Sequence, residues 1–152
     1  MSGISDKSGR AIHSGKAGRA NQAAAASDAA PATPKARGDA AETRALIHLQ
    51  QHGLRLVARN YRVAGGPHAR GAEVDLILRD RDGTLVFVEV RSRADASHGG
   101  AAASITHGKR QRIIRAARHY LLRLAELPPC RFDVVAIDGE QLTWLPAAFD
   151  AA

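Results

Sequence analysis

The chain has 152 residues, 45% of them hydrophobic and 24% charged, a length and balance that fit one globular domain and exclude fibrous and membrane-spanning classes. No run approaches the roughly 20 apolar residues of a transmembrane helix, and the N-terminus lacks the apolar segment of a secretory signal, so a cytoplasmic protein without membrane contact is expected. The formal net charge of +7 invites a polyanionic partner, whereas the single cysteine, Cys130, excludes an internal disulfide or a cysteine-based zinc site and reads as a packing residue.

Residues 1–37 are rich in Ala, Gly, Ser and Lys, include Pro31 and Pro34, and show no sustained apolar period. Lys7, Arg10, Lys16, Arg19, Lys35 and Arg37 face only Asp6 and Asp28, so this segment holds +4 of the net charge. It reads as a disordered basic tail, able to add nonspecific affinity for polyanions, ahead of a folded domain at 38–152. Without the tail the domain is only mildly basic, and charge alone argues weakly for nucleic acid.

Residues 39–52 turn helical, with Ala41, Ala45, Leu46 and Leu49 at three- and four-residue spacing and Gly53 as a stop. Asp39 fits the N-cap, and Glu42, three residues later, would close a capping box. Glu42 also lies on or beside the buried stripe, which leaves a ligand role open. Residues 54–63 read as a first strand, and the Ala-Gly-Gly-Pro-His-Ala-Arg-Gly run after it as a loop.

Residues 72–93, A-E-V-D-L-I-L-R-D-R-D-G-T-L-V-F-V-E-V-R-S-R, read as two strands around a turn. Alternation puts Glu73, Asp75 and Ile77 on one face, and Val74, Leu76 and Leu78 on the other. In the second run Leu85, Phe87, Glu89 and Arg91 share a side, and Val86, Val88 and Val90 face a core. Arg81-Asp82-Gly83 suits a three-residue loop whose last residue is left-handed, which pairs Asp80 with Thr84. Continued outward, that register sets Asp75 opposite Glu89 and Glu73 opposite Arg91. A two-residue loop would mix the charged and apolar faces and is rejected. Carboxylates so opposed have Cβ atoms roughly 4.5–5.5 Å apart and repel unless a cation lies between them, and hard paired oxygens are what Mg²⁺ or Mn²⁺ bind.

Residues 94–103 are small and Gly-containing and read as a mobile connection. A long helix is expected over 104–124, with Ile113, Ile114, Ala117, Tyr120, Leu121 and Leu124 as its apolar stripe and Lys109, Arg110, Arg112, Arg115, Arg118 and Arg123 over the rest. Pro128 and Pro129 end it. Residues 131–137 form a fourth strand, Asp138-Gly139 a turn and 141–145 a short last strand. A strand, helix, strand order implies a right-handed parallel crossover, so the expected fold is α/β: a mixed sheet of antiparallel hairpin plus parallel crossover, flanked by helices. No nucleotide-binding loop, nucleophile elbow or HExxH motif is present. The seven histidines are scattered, and His48 and His52 at one-turn spacing fit a polar helix face better than zinc.

Several of these pieces together resemble the PD-(D/E)xK nuclease-like superfamily, with its restriction-endonuclease-like fold, and within it the YraN-like group, an uncharacterised bacterial family (uncharacterised protein family 0102). They are G-D-A-A-E-T-R-A on the first helix, R-N-Y-R on the first strand, A-E-V-D-L-I and F-V-E-V-R-S-R on the hairpin, S-I-T-H-G-K-R on the long helix and R-F-D-V-V after it. The resemblance implies a Mg²⁺-dependent phosphodiesterase site at Glu42, Asp75, Glu89 and Arg91, with Glu42 carried over the Asp75 and Glu89 face. Arg91 stands where the superfamily pattern has Lys. Lys can lose its proton to activate water, whereas Arg stays charged and can only hold phosphate or an oxyanion. Lys109, at the start of the long helix, is the candidate replacement.

Three readings follow. The first is a metal-dependent nuclease, in the manner of a Holliday-junction resolvase, with Asp75, Glu89 and Glu42 around Mg²⁺ or Mn²⁺ and a nucleic-acid substrate, DNA before RNA. The second is a nucleic-acid-binding module that keeps the acids but does not cut. In the third, a structural or interaction protein, Glu73 and Arg91 simply form an ion pair across the hairpin.

Overall fold

The computed structural model describes residues 30–93 and 105–151. Residues 1–29 of the expected tail and all of the 94–103 connection lie outside the described residues. Helix α1 (Pro34–Gln51) precedes strands β1 (Arg55–Val63), β2 (Ala72–Arg79) and β3 (Leu85–Arg93), and helix α2 (His107–Leu121) separates these from β4 (Cys130–Asp138) and β5 (Gln141–Phe149). The strands form one sheet in the order β1-β2-β3-β4-β5. Every neighbouring pair is antiparallel except β3 and β4, which run parallel across the α2 crossover. This is the mixed α/β architecture expected, and among the described residues no helix is long and apolar enough to cross a membrane.

Helix α1 begins earlier than its apolar period indicates, so residues 34–37, read as tail, are helical. Thr33 is the N-cap, its hydroxyl accepting from the Ala36 N–H at 3.1 Å, and Pro34 takes the first helical position. Proline fits there because its missing N–H is one that the first turn leaves unpaired anyway. Asp39 therefore caps nothing. It sits inside the helix in an ion pair with Lys35 at 2.7 Å, and the Asp39–Glu42 capping box does not form. Helix α2 is likewise set by a threonine: Thr106 caps it, and it is shorter at both ends than the expected 104–124.

The hairpin turn matches its sequence. The Asp80 N–H donates to the Thr84 carbonyl at 2.9 Å, and Gly83 has φ +90°, a left-handed conformation that residues with a Cβ rarely adopt. The β2–β3 ladder then runs Arg79 to Leu85, Leu78 to Val86, Ile77 to Phe87 and Leu76 to Val88 in the predicted register. There it stops, and the onward pairs Asp75 to Glu89 and Glu73 to Arg91 are not made. Glu73 pairs instead with Arg62 of β1, at 2.8 Å and directly across that ladder, so the Glu73–Arg91 ion pair of the structural reading is corrected.

Both faces of the sheet are covered. On one, Leu76, Leu78, Val86 and Val88 pack with Ala41, Ala45, Leu46 and Leu49 of α1. On the other, Ile77, Leu85 and Phe87 pack with Ile113, Ile114 and Ala117 of α2 and with Phe132 and Phe149. Each such fully buried side chain stabilises the fold by roughly 1.5–3 kcal/mol. Val74 departs from the expected alternation: it joins the α2 side, with Ala72, Tyr61 and Val63, rather than the side of Leu76 and Leu78. The cause is local. Asn60 has φ +49°, and the β1–β2 pairs skip Asn60 and Asp75 between Arg59–Leu76 and Tyr61–Val74, so both strands turn over at that point. Cys130 is exposed, its Sγ 3.5 Å from the Pro128 carbonyl, so it is not the packing residue expected.

Candidate functional site

The two interruptions meet at Asp75. β2 stays paired to β1 and β3 to β4, while β2 and β3 separate beyond Leu76 and Val88, so the sheet forks and the first side chains in the fork are Asp75 and Glu89. The amide that the broken ladder frees is not wasted. The Val90 N–H donates to Asp75 Oδ2 at 2.8 Å, which satisfies a backbone donor and fixes one carboxylate oxygen.

Glu89 is 3% exposed, and its Oε2 is buried and takes no hydrogen bond. What stands beside it is charge: Lys109 Nζ lies 3.1 Å from Oε2 and Arg91 Nη1 3.8 Å from Oε1. The Lys109 ammonium, at ion-pair distance, is thus the cation at this oxygen, and among the described residues no other donor reaches it. Sequence places that lysine locally. Thr106 accepts from the Lys109 N–H at 3.3 Å, so the T-H-G-K run holds the first turn of α2 with its lysine toward the fork.

Burial, and then the Asp75 charge, push the Glu89 carboxyl from its ordinary 4.5 up to about 7, against the opposing pull of Lys109 and Arg91. Asp75 is also raised, chiefly by burial, with the Val90 amide and Lys109 holding it down. Glu42 is raised by burial and then by Asp75. These mutual effects put all three acids in one electrostatic neighbourhood.

Glu42 nevertheless faces its own partners. Its Oε2 accepts from Asn60 Nδ2 at 3.1 Å and lies 3.6 Å from Arg59 Nη2. Among the described residues no three His, Cys, Asp or Glu side chains converge to hold a metal ion. The structure thus brings Asp75, Glu89, Arg91 and Lys109 together and keeps Glu42 at the wall. Two carboxylates with an unsatisfied buried oxygen are a donor set that suits Mg²⁺ or Mn²⁺, since such ions commonly take one or two protein carboxylates and fill the remaining positions with water and phosphate oxygens.

An open groove of about 720 Å³ runs over the fork. α1 supplies one wall through Arg37, Glu42 and Arg44, and β3 continues it through Arg91 and Ser92. Arg44 is already engaged, donating to the carbonyls of Gly139 at 2.9 Å and Glu140 at 3.0 Å, which fastens the β4–β5 turn to α1. Sequence reasoning did not single out Arg37, Arg44, Arg59 or Asn60. Arg59 and Asn60 are the first two residues of the R-N-Y-R motif, but nothing local says that an asparagine in left-handed backbone will hold a glutamate from another element. His48 and His52 lie elsewhere, with His52 tilted against Trp144 at 5.4 Å between centroids.

Comparison with known proteins agrees with this geometry in extent. A family model described as the uncharacterised protein family UPF0102 matches residues 41–137, from the first turns of α1 to the end of β4. A UPF0102 protein of Methylibium petroleiphilum is 69% identical over 120 residues, covering 79% of this chain and 98% of the relative. Another, from Paracidovorax citrulli, is 65% identical over 119 residues, covering 78% and 86%. A third, from Albidiferax ferrireducens, is 64% identical over 119 residues, covering 78% and 91%. The chain belongs to the uncharacterised protein family UPF0102, the YraN family that its motifs resemble.

Proposed function

We propose that the protein is a divalent-metal-dependent phosphodiesterase acting on nucleic acid, DNA before RNA, with its centre in the β2–β3 fork. The observation that carries this reading is the pair of desolvated carboxylates at the fork, Asp75 and Glu89, with Glu89 Oε2 met, among the described residues, only by the Lys109 ammonium at 3.1 Å. Of two carboxylates held side by side away from water at least one has its pKa raised, here Glu89, and the two are costly together as anions unless cations share the space. Asp75 and Glu89 would hold Mg²⁺ or Mn²⁺. Bound there, such an ion supplies Lewis-acid polarisation of a phosphoryl oxygen and a lowered pKa for water. Arg91, with its planar guanidinium, binds phosphate and stabilises the charge that develops on it. Lys109, at 23% side-chain exposure and 3.1 Å from Glu89, pulls that carboxyl toward its charged form without overcoming burial and the Asp75 charge, and adds a second cation beside Arg91 for a phosphate. Glu42, turned from Asn60, would orient water at the groove wall.

A second reading, a nucleic-acid-binding module that does not cut, is favoured by one specific observation: Glu42 is engaged by Asn60 and Arg59 and does not complete a three-acid cluster. The two are separated by incubating the full chain with labelled linear, branched and single-stranded DNA and RNA, with Mn²⁺, Mg²⁺ or chelator, beside Asp75→Ala and Glu89→Ala. Cleavage that needs metal and falls by more than about 100-fold in both variants supports the phosphodiesterase. Salt-dependent binding with no cleavage supports the module. Cleavage that persists in both variants would come from a contaminant and would sink the enzymatic reading.

A further inference from the structure

Helix α2 carries more than Lys109. Its fifteen residues include Lys109, Arg110, Arg112, Arg115 and Arg118 and no Asp or Glu. Elsewhere four arginines have acidic partners, Arg59 with Glu42, Arg62 with Glu73, Arg91 with Glu89, and Arg131 with Asp80 and Asp133, while Arg44 and Arg79 bind backbone carbonyls. Among the described residues, none of the four α2 arginines makes an ion pair with a carboxylate. Three of them are held by neutral groups instead. Arg115 donates to the Arg70 carbonyl, Arg118 donates to the Ala151 carbonyl at 3.4 Å, and the Arg110 guanidinium lies 5.6 Å over the Phe149 ring. These contacts restrain the side chains and leave their charge uncompensated, which is the condition for binding an external anion.

Placement is equally specific. Arg112, Arg115 and Arg118 recur every third residue and line a shallow depression of about 310 Å³ with Gln111 and Ile114. The helix starts at the fork, where Lys109 meets Glu89, and the arginines lie progressively farther from it. From Lys109 to Arg118 the helix rises about 14 Å at roughly 1.5 Å per residue, and a nucleic-acid strand advances roughly 3.4 Å per nucleotide, so the row spans about four nucleotides. The Arg115 contact also brings the loop at 64–71 alongside, which contains His68 and Arg70 and no acid.

We propose that the outer face of α2 is a phosphate-backbone track, in which Arg112, Arg115 and Arg118 bind the nucleic-acid strand where it leaves the fork. This rests on the nucleic-acid reading above but not on cleavage. The track contacts phosphates and not bases, so it supplies affinity and direction without sequence preference. Helix α2 gathers five cations and no acid, so its local charge exceeds what the modest net charge of the domain suggests.

The test measures binding of the full chain to a labelled linear duplex, with chelator present, between about 50 and about 200 mM salt. The variants are the triple Arg112→Ala, Arg115→Ala, Arg118→Ala and the corresponding triple to Lys. The alanine triple should bind at least about tenfold more weakly, with a slope of log affinity against log salt shallower by about 3, one for each lost phosphate contact. The lysine triple should recover the slope, because the slope counts charges. Thermal melting of both variants controls for folding, and a folded alanine triple with wild-type affinity and slope would overturn the proposal. Hydrolysis of bis(p-nitrophenyl) phosphate with Mn²⁺ is read in parallel, since so small a diester does not reach Arg112. If wild type hydrolyses it and the alanine triple binds duplex normally, the track fails and the phosphodiesterase stands. If wild type does not hydrolyse it and the triple loses salt-dependent binding, the track stands and the phosphodiesterase fails.

Discussion

Among the described residues, Glu89 and Asp133 are the two buried acids, 3% and 0% exposed, on adjacent parallel strands, yet the fold treats them in opposite ways. Asp133 is saturated. Its oxygens accept from Arg131 Nε at 3.0 and 3.3 Å, from Trp144 Nε1 at 3.0 Å and from the Ala147 N–H at 3.0 Å. That last bond secures the point where β5 turns through Ala147 at φ +49°. Glu89 has no such set of directed donors: among the described residues its oxygens meet only the charges of Lys109 and Arg91, beside a second acid. A fully partnered buried carboxylate holds structure together, whereas one left partly open is poised for something outside the chain.

Three perturbations sharpen or break this contrast. The largest effect is expected at Asp133→Ala, which strands the Trp144 and Ala147 donors and removes one partner of a buried pair. Chemical denaturation followed by the fluorescence of Trp144, the one tryptophan, should show a loss of about 3–5 kcal/mol, and a loss under 1 would mean that the network does not hold β5.

Replacement of Glu89 by Gln should act in the other direction and depend on pH. The Glu89 carboxyl titrates near 7 in the fold against an ordinary 4.5, so the folded state favours its protonated form. The stability it contributes is complete below pH 4.5 and is lost as pH rises through about 7. Gln mimics the protonated acid throughout. The variant should therefore match wild type near pH 4.5 and exceed it by about 3 kcal/mol at pH 8 without metal. Mn²⁺ should raise the melting temperature of wild type and leave Glu89→Gln unmoved. A gap that does not widen with pH would show that burial does not penalise this carboxylate.

The smallest effect belongs to Lys109→Met, which removes the cation and keeps the stem. It should cost about 1 kcal/mol at pH 8, where Glu89 is charged, and less at pH 5, where it is mostly protonated. Equal losses at both pH values would reduce Lys109 to packing.

Much of this arrangement is legible in the chain. The Asp82-Gly83 turn is a local signal, and it set the register of the closed part of the hairpin from Arg79–Leu85 to Leu76–Val88. The parallel crossover follows from a strand, helix, strand order, and the T-H-G-K run starts the helix that carries Lys109 to 3.1 Å from Glu89. Other features were not readable. The β2–β3 ladder ends at Leu76–Val88, and no local pattern announces that end, the left-handed Asn60 of β1, or the place of Val74 on the α2 side. Asp39 resembled a cap through local spacing, but Thr33 and Pro34 begin the helix first. The R-F-D-V-V motif contained Asp133 without revealing that Trp144 and Ala147 would close on it.

By itself the sequence determined which residues alternate, where the hairpin turns and which acids stand out on an apolar strand, because these follow from a period of two and from the stereochemistry of glycine. Only the tertiary structure decided which of those acids is left open. Hydrogen-bond satisfaction is a property of neighbours: Glu73 was taken by Arg62 and Asp133 by Arg131, Trp144 and Ala147, while beyond the parting of β2 from β3 Glu89 meets, among the described residues, only the charges of Lys109 and Arg91.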